Sequence, residues 1–366
     1  MRHAFLFVSS LGPGGAERAI SELANWLAGD GWEVTLATLT DGSADDDYYL
    51  ADGVRRVHIG NEPQTGGLWH KVLSNAKRVQ ALRKIFVKYS PTVVVSFIDS
   101  NNVLAILAAF GLRLPVVVSE RTDPAQHLSN IPVIWRLGRR LLYRRASAVV
   151  AQTQIAANWL AEECRCSVEI IPNALRMLPK PLKDREPWVV SAGRIEHVKG
   201  FDIILDAFAR VVDELPSWRL VIAGEGRLLD SLQLKAHELG IADRVDWLGY
   251  RKDIELVLGR ASIVALASRY EGFPNILLEA LGMGAAVVVS DCPSGPSEMV
   301  DSGKNGLLVS VDDVKAFADS IRRLAADPKL RKQLGKRALR VRSIYSQPTI
   351  MKRWSDLLDV AMEHNR

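Results

Sequence analysis

Cysteine is scarce in this chain. The three present, Cys164, Cys166 and Cys292, are too few and of the wrong parity for a disulfide framework. Cys164 and Cys166 stand one residue apart with no neighbouring His or Cys pair to complete a zinc pattern, so no metal site is expected and the thiols read as reduced and cytosolic. Long apolar runs are missing too. None reaches about 18 residues, which excludes a transmembrane helix, and the opening run Met1–Val8 is too short for a signal peptide. Charge of one sign does not dominate: the net is +5, compatible with a phosphate-bearing ligand or an anionic membrane surface. No compact nucleic-acid motif accompanies it, so no nucleic-acid partner is expected. The dinucleotide fingerprint Gly-x-Gly-x-x-Gly does not follow the first strand either.

What is present is the composition of a globular enzyme, 48% hydrophobic and 24% charged over 366 residues, long enough for two cores. Short β-branched runs alternate with helical patterns. Strands are predicted at 4–8, 33–39, 54–59, 92–98, 115–119, 148–151 and 168–171, with helices between them. Runs such as Val93-Val94-Val95 and Val116-Val117-Val118 are apolar at consecutive positions, as in a parallel sheet covered on both faces. Four prolines between Pro172 and Pro187 interrupt the pattern. It then restarts, with strands predicted at 188–192, 219–223, 244–247, 263–266 and 286–290 and a last helix at 348–363. The expected fold is α/β: two facing Rossmann-like domains, 1–172 and 188–347, joined by a linker at 173–187, with a deep cleft between them. The C-terminal helix, 348–366, is expected to pack back on the first domain.

In such a fold the strand-end loops carry the chemistry. Gly12-Pro13-Gly14-Gly15-Ala16-Glu17-Arg18 follows the first strand and opens a helix. Its glycines suit either a tight turn or close approach of a phosphate to backbone N–H groups. Gly193-Arg194 and Lys199-Gly200 follow the first strand of the second half. These two cations either clamp a diphosphate or form a solvated pair. Gly224-Glu225-Gly226 follows the next strand. In Glu271-Gly272-Phe273-Pro274-Asn275-Ile276-Leu277-Leu278-Glu279, Pro274 sits at a helix start, and the N–H groups of Asn275, Ile276 and Leu277 can turn toward a phosphate. Glu271 and Glu279 are of the type that accepts hydrogen bonds from sugar or ribose hydroxyls. Gly295-Pro296-Ser297-Glu298 is a further loop of this kind. His127 and His197 are acid/base groups by type, but neither has an orienting partner visible in the sequence.

Taken in order and spacing, these segments, with Ile171-Pro172-Asn173 and Asn305-Gly306, resemble the retaining family 4 glycosyltransferases of the GT-B fold over nearly the whole chain. The seven residues between Glu271 and Glu279 match that family's paired-glutamate motif. The resemblance implies a metal-independent, retaining hexosyltransferase with no cofactor beyond its UDP-sugar donor. It implies that Arg194 and Lys199 stabilise the donor diphosphate, that Glu271 positions the sugar, and that Glu279 binds the ribose. By the same resemblance Gly14, Gly15, Gly193, Gly224, Asn275, Ile276 and Leu277 approach the donor, and Tyr250 and Arg251 lie near its base.

One segment departs from many relatives. Where they carry a histidine, this chain reads Ser119-Glu120-Arg121-Thr122-Asp123-Pro124, similar to a variant in bacterial glycan-assembly enzymes. Glu120, Arg121 and Asn173 are therefore the acceptor-side candidates. The subgroup resembled extends polyprenyl-diphosphate-linked glycans, which implies a lipid-linked glycan acceptor, a role in polysaccharide biosynthesis or protein glycosylation, and a place on the cytoplasmic face of the cell membrane. Two acid-free basic stretches fit that surface: Lys71–Lys88, and Pro132–Ser147 with Arg136, Arg139, Arg140 and Arg144. The alternatives are the same chemistry on a soluble acceptor, a non-catalytic nucleotide-sugar binder, and a hydrolase or epimerase.

Overall fold

The computed structural model describes residues 2–42, 46–60, 68–125 and 131–363, with side chains omitted at 68–72. His127 lies outside the described residues. The chain forms two compact units: Met1–Ala174 with the segment from Pro348 onward, and Leu175–Gln347.

The first unit holds strands β1 (His3–Val8), β2 (Glu33–Thr38), β3 (Val54–His58), β4 (Val93–Phe97), β5 (Val116–Ser119), β6 (Ala148–Ala151) and β7 (Val168–Ile170). They make one sheet in the order β3-β2-β1-β4-β5-β6-β7, and every pair is parallel. Between the strands run α1 (Gly15–Gly29), α2 (Leu68–Tyr89), α3 (Asp99–Ala109), α4 (Val133–Leu142) and α5 (Gln154–Cys164). The consecutive apolar residues of β1, β4 and β5 are fully or almost fully buried, because helices cover the sheet. The order reverses between β1 and β4, which puts the loops at Ser9–Gly14 and Ile98 beside one another at the carboxyl ends. Ile98 sits at φ 79°, a left-handed conformation that costs a β-branched residue about 1–3 kcal/mol. The C-terminal helix, Gln347–Glu363, adds a buried Trp354 against Phe97 at 5.6 Å between ring centroids and an ion pair from Arg2 to Asp359 at 3.3 Å.

The second unit has β8 (Glu186–Ala192), β9 (Arg219–Ala223), β10 (Val245–Trp247), β11 (Ala261–Leu266), β12 (Ala286–Ser290) and β13 (Leu307–Val309) in the order β10-β9-β8-β11-β12-β13, again all parallel. Helices α6 (Phe201–Ala209), α7 (Leu229–Glu238), α8 (Ile254–Arg260), α9 (Asn275–Gly282), α10 (Pro296–Met299), α11 (Val314–Ala326), α12 (Pro328–Ala338) and α13 (Val341–Ile344) complete it. Asp313 and Asp327 cap α11 and α12, each accepting a backbone N–H three residues on at 2.9 Å. The switch point falls between β8 and β11.

Two expectations change here. Strand β13 is absent from the sequence reading, because three residues after Asn305-Gly306 carry too short a pattern. The segment read as a linker, 173–187, is divided differently: from Leu175 on it belongs to the second unit. The Leu175 N–H donates to the Tyr345 carbonyl at 2.7 Å, and β8 already begins at Glu186.

Candidate active site

At the carboxyl ends of β8, β9 and β11 three glycines let the backbone pack closely beside a pocket that Gly193 lines. Gly193 and Gly224 take φ of 144° and 149°. A Cβ on Gly224 would lie 1.9 Å from the Gly193 carbonyl oxygen, so only glycine lets these two strand ends meet. Gly200 sits at φ 64°, and a Cβ there would meet the Ala267 carbonyl oxygen at 2.0 Å. That close approach brings the Lys199 turn against the end of β11.

The result is a cavity of about 190 Å³ lined by Gly193, Arg194, Lys199, Ser268, Glu271 and Asn275, among others. Lys199 Nζ lies 2.6 Å from Glu271 Oε1, and Ser268 Oγ donates to the same oxygen at 2.7 Å. Arg194 is exposed and has no ion-pair partner among the described residues. Helix α9 starts at Asn275 after Pro274, and its first turn presents N–H groups to the cavity, which Asn275 and Ile276 line. Leu277 does not line the cavity, its side chain being fully buried in the core. Gly295, at φ 93°, lets the β12–α10 loop close against Pro274 and hold that helix start in place. Burial, with Glu271 nearby, pushes the Cys292 thiol up to about 12, so it stays protonated and inert.

The remaining donor-side candidates, Glu279, Tyr250 and Arg251, do not line this cavity. Glu279 is buried and absent from the cavity wall. Arg176 binds it, Nη2 lying 3.1 Å from Glu279 Oε2 and 2.6 Å from Glu255 Oε2. Tyr250 is exposed at the end of β10, where its N–H donates to Glu225 at 3.3 Å, and Arg251 is paired with Asp253 at 2.8 Å. His197 is exposed, and its carbonyl accepts from Arg269 at 2.5 Å, a structural contact.

Sequence reasoning missed two residues here. Arg176 pairs with acids 79 and 103 positions away, and no local pattern reveals that. Arg269 grips Asp202 at 2.7 Å and Asp312 at 2.9 Å, tying the loop before Glu271 to α6 and α11. Burial alone would raise the Asp202 carboxyl, but the Arg269 hydrogen bonds outweigh it and hold it below the usual range.

In the first unit Gly14 caps α1 and Gly15 begins it, and Tyr48 donates to the Gly14 carbonyl at 2.9 Å. The Glu17 carboxylate folds over that helix start, crowding the place where a Gly14 Cβ would stand. Arg121 is buried, hydrogen-bonded to Asn173 and stacked on Phe97 with 4.3 Å to the ring centroid. Burial lowers its pKa to about 9. Arg121 and Asn173, both acceptor-side candidates, are thus brought together.

Glu120 requires a correction. Its carboxylate turns into the interior, accepts from Tyr143 and lies 3.8 Å from Arg139. Burial raises its pKa to about 7. A group this enclosed is a strut between β5 and α4, not a surface contact for a sugar. Arg139 is corrected by the same observation: it is 1% exposed and stacked over Trp159, so it cannot touch a membrane. Arg140 and Arg144 are exposed, and Arg136 is half-buried. On the other basic stretch Arg78 is buried, and Arg83 is tied to the Phe110 carbonyl at 2.6 Å. Among the described residues no helix is long and apolar enough to cross a membrane.

Comparison with known proteins gives this geometry its class. Residues 177–341 match the family described as glycosyl transferases group 1, and residues 14–174 match a glycosyl transferase 4-like domain. The chain is a family 4 glycosyltransferase of the GT-B fold. It is 28% identical over 98% of both chains to the GalNAc-alpha-(1->4)-GalNAc-alpha-(1->3)-diNAcBac-PP-undecaprenol alpha-1,4-N-acetyl-D-galactosaminyltransferase of Campylobacter jejuni. A second transferase of that organism, the N-acetylgalactosamine-N,N'-diacetylbacillosaminyl-diphospho-undecaprenol 4-alpha-N-acetylgalactosaminyltransferase, is 27% identical over 91% of this chain and 92% of its own. Among solved structures, sucrose-phosphate synthase of Thermosynechococcus elongatus superposes with a TM-score of 0.83 at 20% identity over 98% of both chains. Anabaena HepE in complex with UDP and glucose superposes at 0.79 and 20% identity over 97% of this chain and 99% of its own.

Proposed function

We propose that the chain transfers a hexose or N-acetylhexosamine from a UDP-sugar to a polyprenyl-diphosphate-linked glycan, without a metal and with retention of anomeric configuration. The observation that carries this reading is the convergence of Arg194, Lys199 and the start of α9 on one cavity beside Glu271. Two cations and a helix N-terminus complement a diphosphate, whose charge grows as the glycosidic bond breaks. Glu271, held by Ser268, accepts from a sugar hydroxyl. Lys199 neutralises Glu271, and an incoming diphosphate competes for that ammonium.

The bond from C1 to the diphosphate oxygen breaks, and a bond from the acceptor oxygen to C1 forms on the same face. The acceptor proton passes to the departing phosphate oxygen, so no protein base is required. The family resemblance gives the ribose hydroxyls to Glu279; because its carboxylate is buried, outside the cavity wall and bonded to Arg176, this contact requires the Arg176 pair to open. The UDP in the HepE complex supports the donor class, and the names of the Campylobacter relatives support the acceptor class and an N-acetylgalactosamine donor.

A lipid-linked acceptor places the enzyme on the cytoplasmic face of the membrane. Helix α4 supports this with an exposed apolar stripe, Val133, Ile134, Leu137 and Leu141, flanked by Arg140 and Arg144.

The test is a donor screen with UDP-glucose, UDP-galactose, their N-acetyl forms and GDP-mannose, with a short polyprenyl-diphosphate glycan as acceptor. UDP release that needs the lipid acceptor, persists in EDTA and gives an α-linked product by NMR is the expected outcome. Turnover with GDP-mannose alone, or an inverted product, overturns the reading. Equal turnover on a soluble glycan, with no vesicle binding lost in Leu137→Ser, moves the acceptor to the soluble class.

A further inference from the structure

The second unit has another cavity, much larger than the first and at the opposite end of its sheet. Its volume is about 830 Å³, within the range of small-molecule sites, against about 190 Å³ for the donor cavity. Ser262 at the start of β11 and Ala286 at the start of β12 line it, so it opens at the amino ends of the strands. Nothing in the glycosyl-transfer reading uses this end.

Its charge is lopsided. Lys183, Arg185, Arg331, Lys332 and Lys336 line it with one carboxylate, Asp184. The two guanidiniums are fixed in its wall. Arg185 donates to the carbonyls of Gly259 at 3.0 Å, Ala261 at 2.9 Å and Met283 at 2.6 Å. Arg331 donates to Ala325 at 2.9 Å and stacks on Trp218, 5.3 Å from its ring centroid. Carbonyls orient these cations without cancelling their charge. Asp327, the acid whose charge acts on Arg331, caps α12.

The three lysines are exposed, and their ammonium groups make no ion pair or hydrogen bond among the described residues. Two of them, Lys332 and Lys336, stand one helical turn apart on α12, a like-charge spacing that disfavours the helix unless an anion bridges it. Lys183 approaches from a different part of the chain. In its wall α12 touches β12's entry loop backbone to backbone: a Cβ on Gly335 would lie 2.2 Å from the Gly284 carbonyl oxygen. Leu182 and Leu339 give the same cavity an apolar border.

We propose that this cavity binds a polyphosphorylated anion through Lys183, Lys332 and Lys336, at a site separate from the donor pocket. Mobile ammonium groups on a fixed cationic wall suit a ligand with several phosphoryl charges, and the apolar border suits an organic part attached to it. A soluble polyphosphate and a phosphorylated lipid headgroup share this chemistry.

The experiment is calorimetric titration of the full chain with inorganic tripolyphosphate in excess UDP, with sulfate as control. The expected result is binding to tripolyphosphate that is at least about tenfold tighter than to sulfate and at least about tenfold weaker in the Lys183→Gln, Lys332→Gln, Lys336→Gln triple variant. Circular dichroism melts check that the variant folds, and the exposed lysines predict an unchanged midpoint. The Lys199→Ala chain, altered in the other cavity, is expected to bind tripolyphosphate like the unaltered protein. Displacement of tripolyphosphate by cardiolipin vesicles, whose headgroup carries two phosphates, lost in the triple variant, assigns the site to a headgroup; no displacement assigns it to a soluble anion. Binding no tighter than sulfate, or unchanged in the triple variant, overturns the proposal.

Discussion

The two parallel sheets use charge in opposite ways at their carboxyl ends. In the second unit Arg194, Lys199 and Glu271 line an open cavity, and among the described residues one short ion pair, Lys199 to Glu271, spans it. In the first unit Glu120, Arg121 and Arg139 are between 1% and 9% exposed and bound to Tyr143, Asn173 and Trp159. On the proposed reading, the first set exchanges partners with a ligand. The second is closed on itself and holds β5, α4 and α5 together. Removing a charge should therefore cost catalysis in one place and folding in the other.

The sharpest break of that comparison is at Glu271. Glu271→Gln and Lys199→Ala are each expected to lower kcat by about 10²–10³, the usual cost of one electrostatic contact made in the transition state. The melting temperature should stay within a degree or two, since both side chains are part-exposed and replaceable by water. Steady-state kinetics beside calorimetric melts checks this; turnover left intact by either variant removes the residue from the mechanism. The mirror experiment is Arg139→Ala. It leaves Glu120 buried beside a void and is expected to cost about 3 kcal/mol of stability by urea titration, with kcat per folded molecule unchanged.

The alternation of strands and helices was legible because fully buried parallel strands must be apolar at every position, and β4 and β5 are so at Val93-Val94-Val95 and Val116-Val117-Val118. The start of α9 was legible because proline acts locally: Pro274 stands immediately before the helix, as its place in the sequence implies. Arg139 was not. On a basic amphipathic helix an arginine reads as solvated, and its burial depends on Glu120 and Trp159, nineteen and twenty positions away in opposite directions along the chain. Glu120 was misread for the same reason, since nothing near it in sequence says which way its carboxylate turns. The apolar stripe of α4, in contrast, was present in the sequence but overshadowed by its arginines; exposure of Leu137 and Ile134 shifts the membrane argument onto those side chains.

A smaller effect is expected at Arg176, which belongs to neither extreme. It is part-exposed, yet it holds the buried Glu279. Arg176→Gln is expected to raise the dissociation constant for UDP about tenfold with little change in kcat, because the loss falls on ground-state binding. Isothermal titration with UDP and with 2′-deoxy-UDP checks the route: the penalty should shrink for the deoxy ligand if Arg176 acts through Glu279 on the ribose. An equal penalty on both ligands shows that it acts elsewhere.

The gentlest probe of the closed network is pH. Burial, aided by Asp99, lifts the Glu120 carboxyl from 4.5 to about 7 against the opposing pull of Arg139 and Tyr143. A carboxyl whose folded pKa exceeds its unfolded one binds more protons when folded. Its stabilisation is therefore complete below the unfolded value and is lost as pH rises from 4.5 through about 7. His3, buried and lowered from 6.5, works the other way below that pH, so the whole-protein profile mixes the two. The difference between the unaltered chain and Glu120→Gln removes the His3 contribution, which is common to both. That difference should fall steadily across the 4.5–7 window and flatten above it, measured by urea denaturation at a series of pH values. A difference that rises with pH would mean that Arg139 dominates, that the pair is ionised when folded, and that the first unit uses charge more like the second than its burial implies.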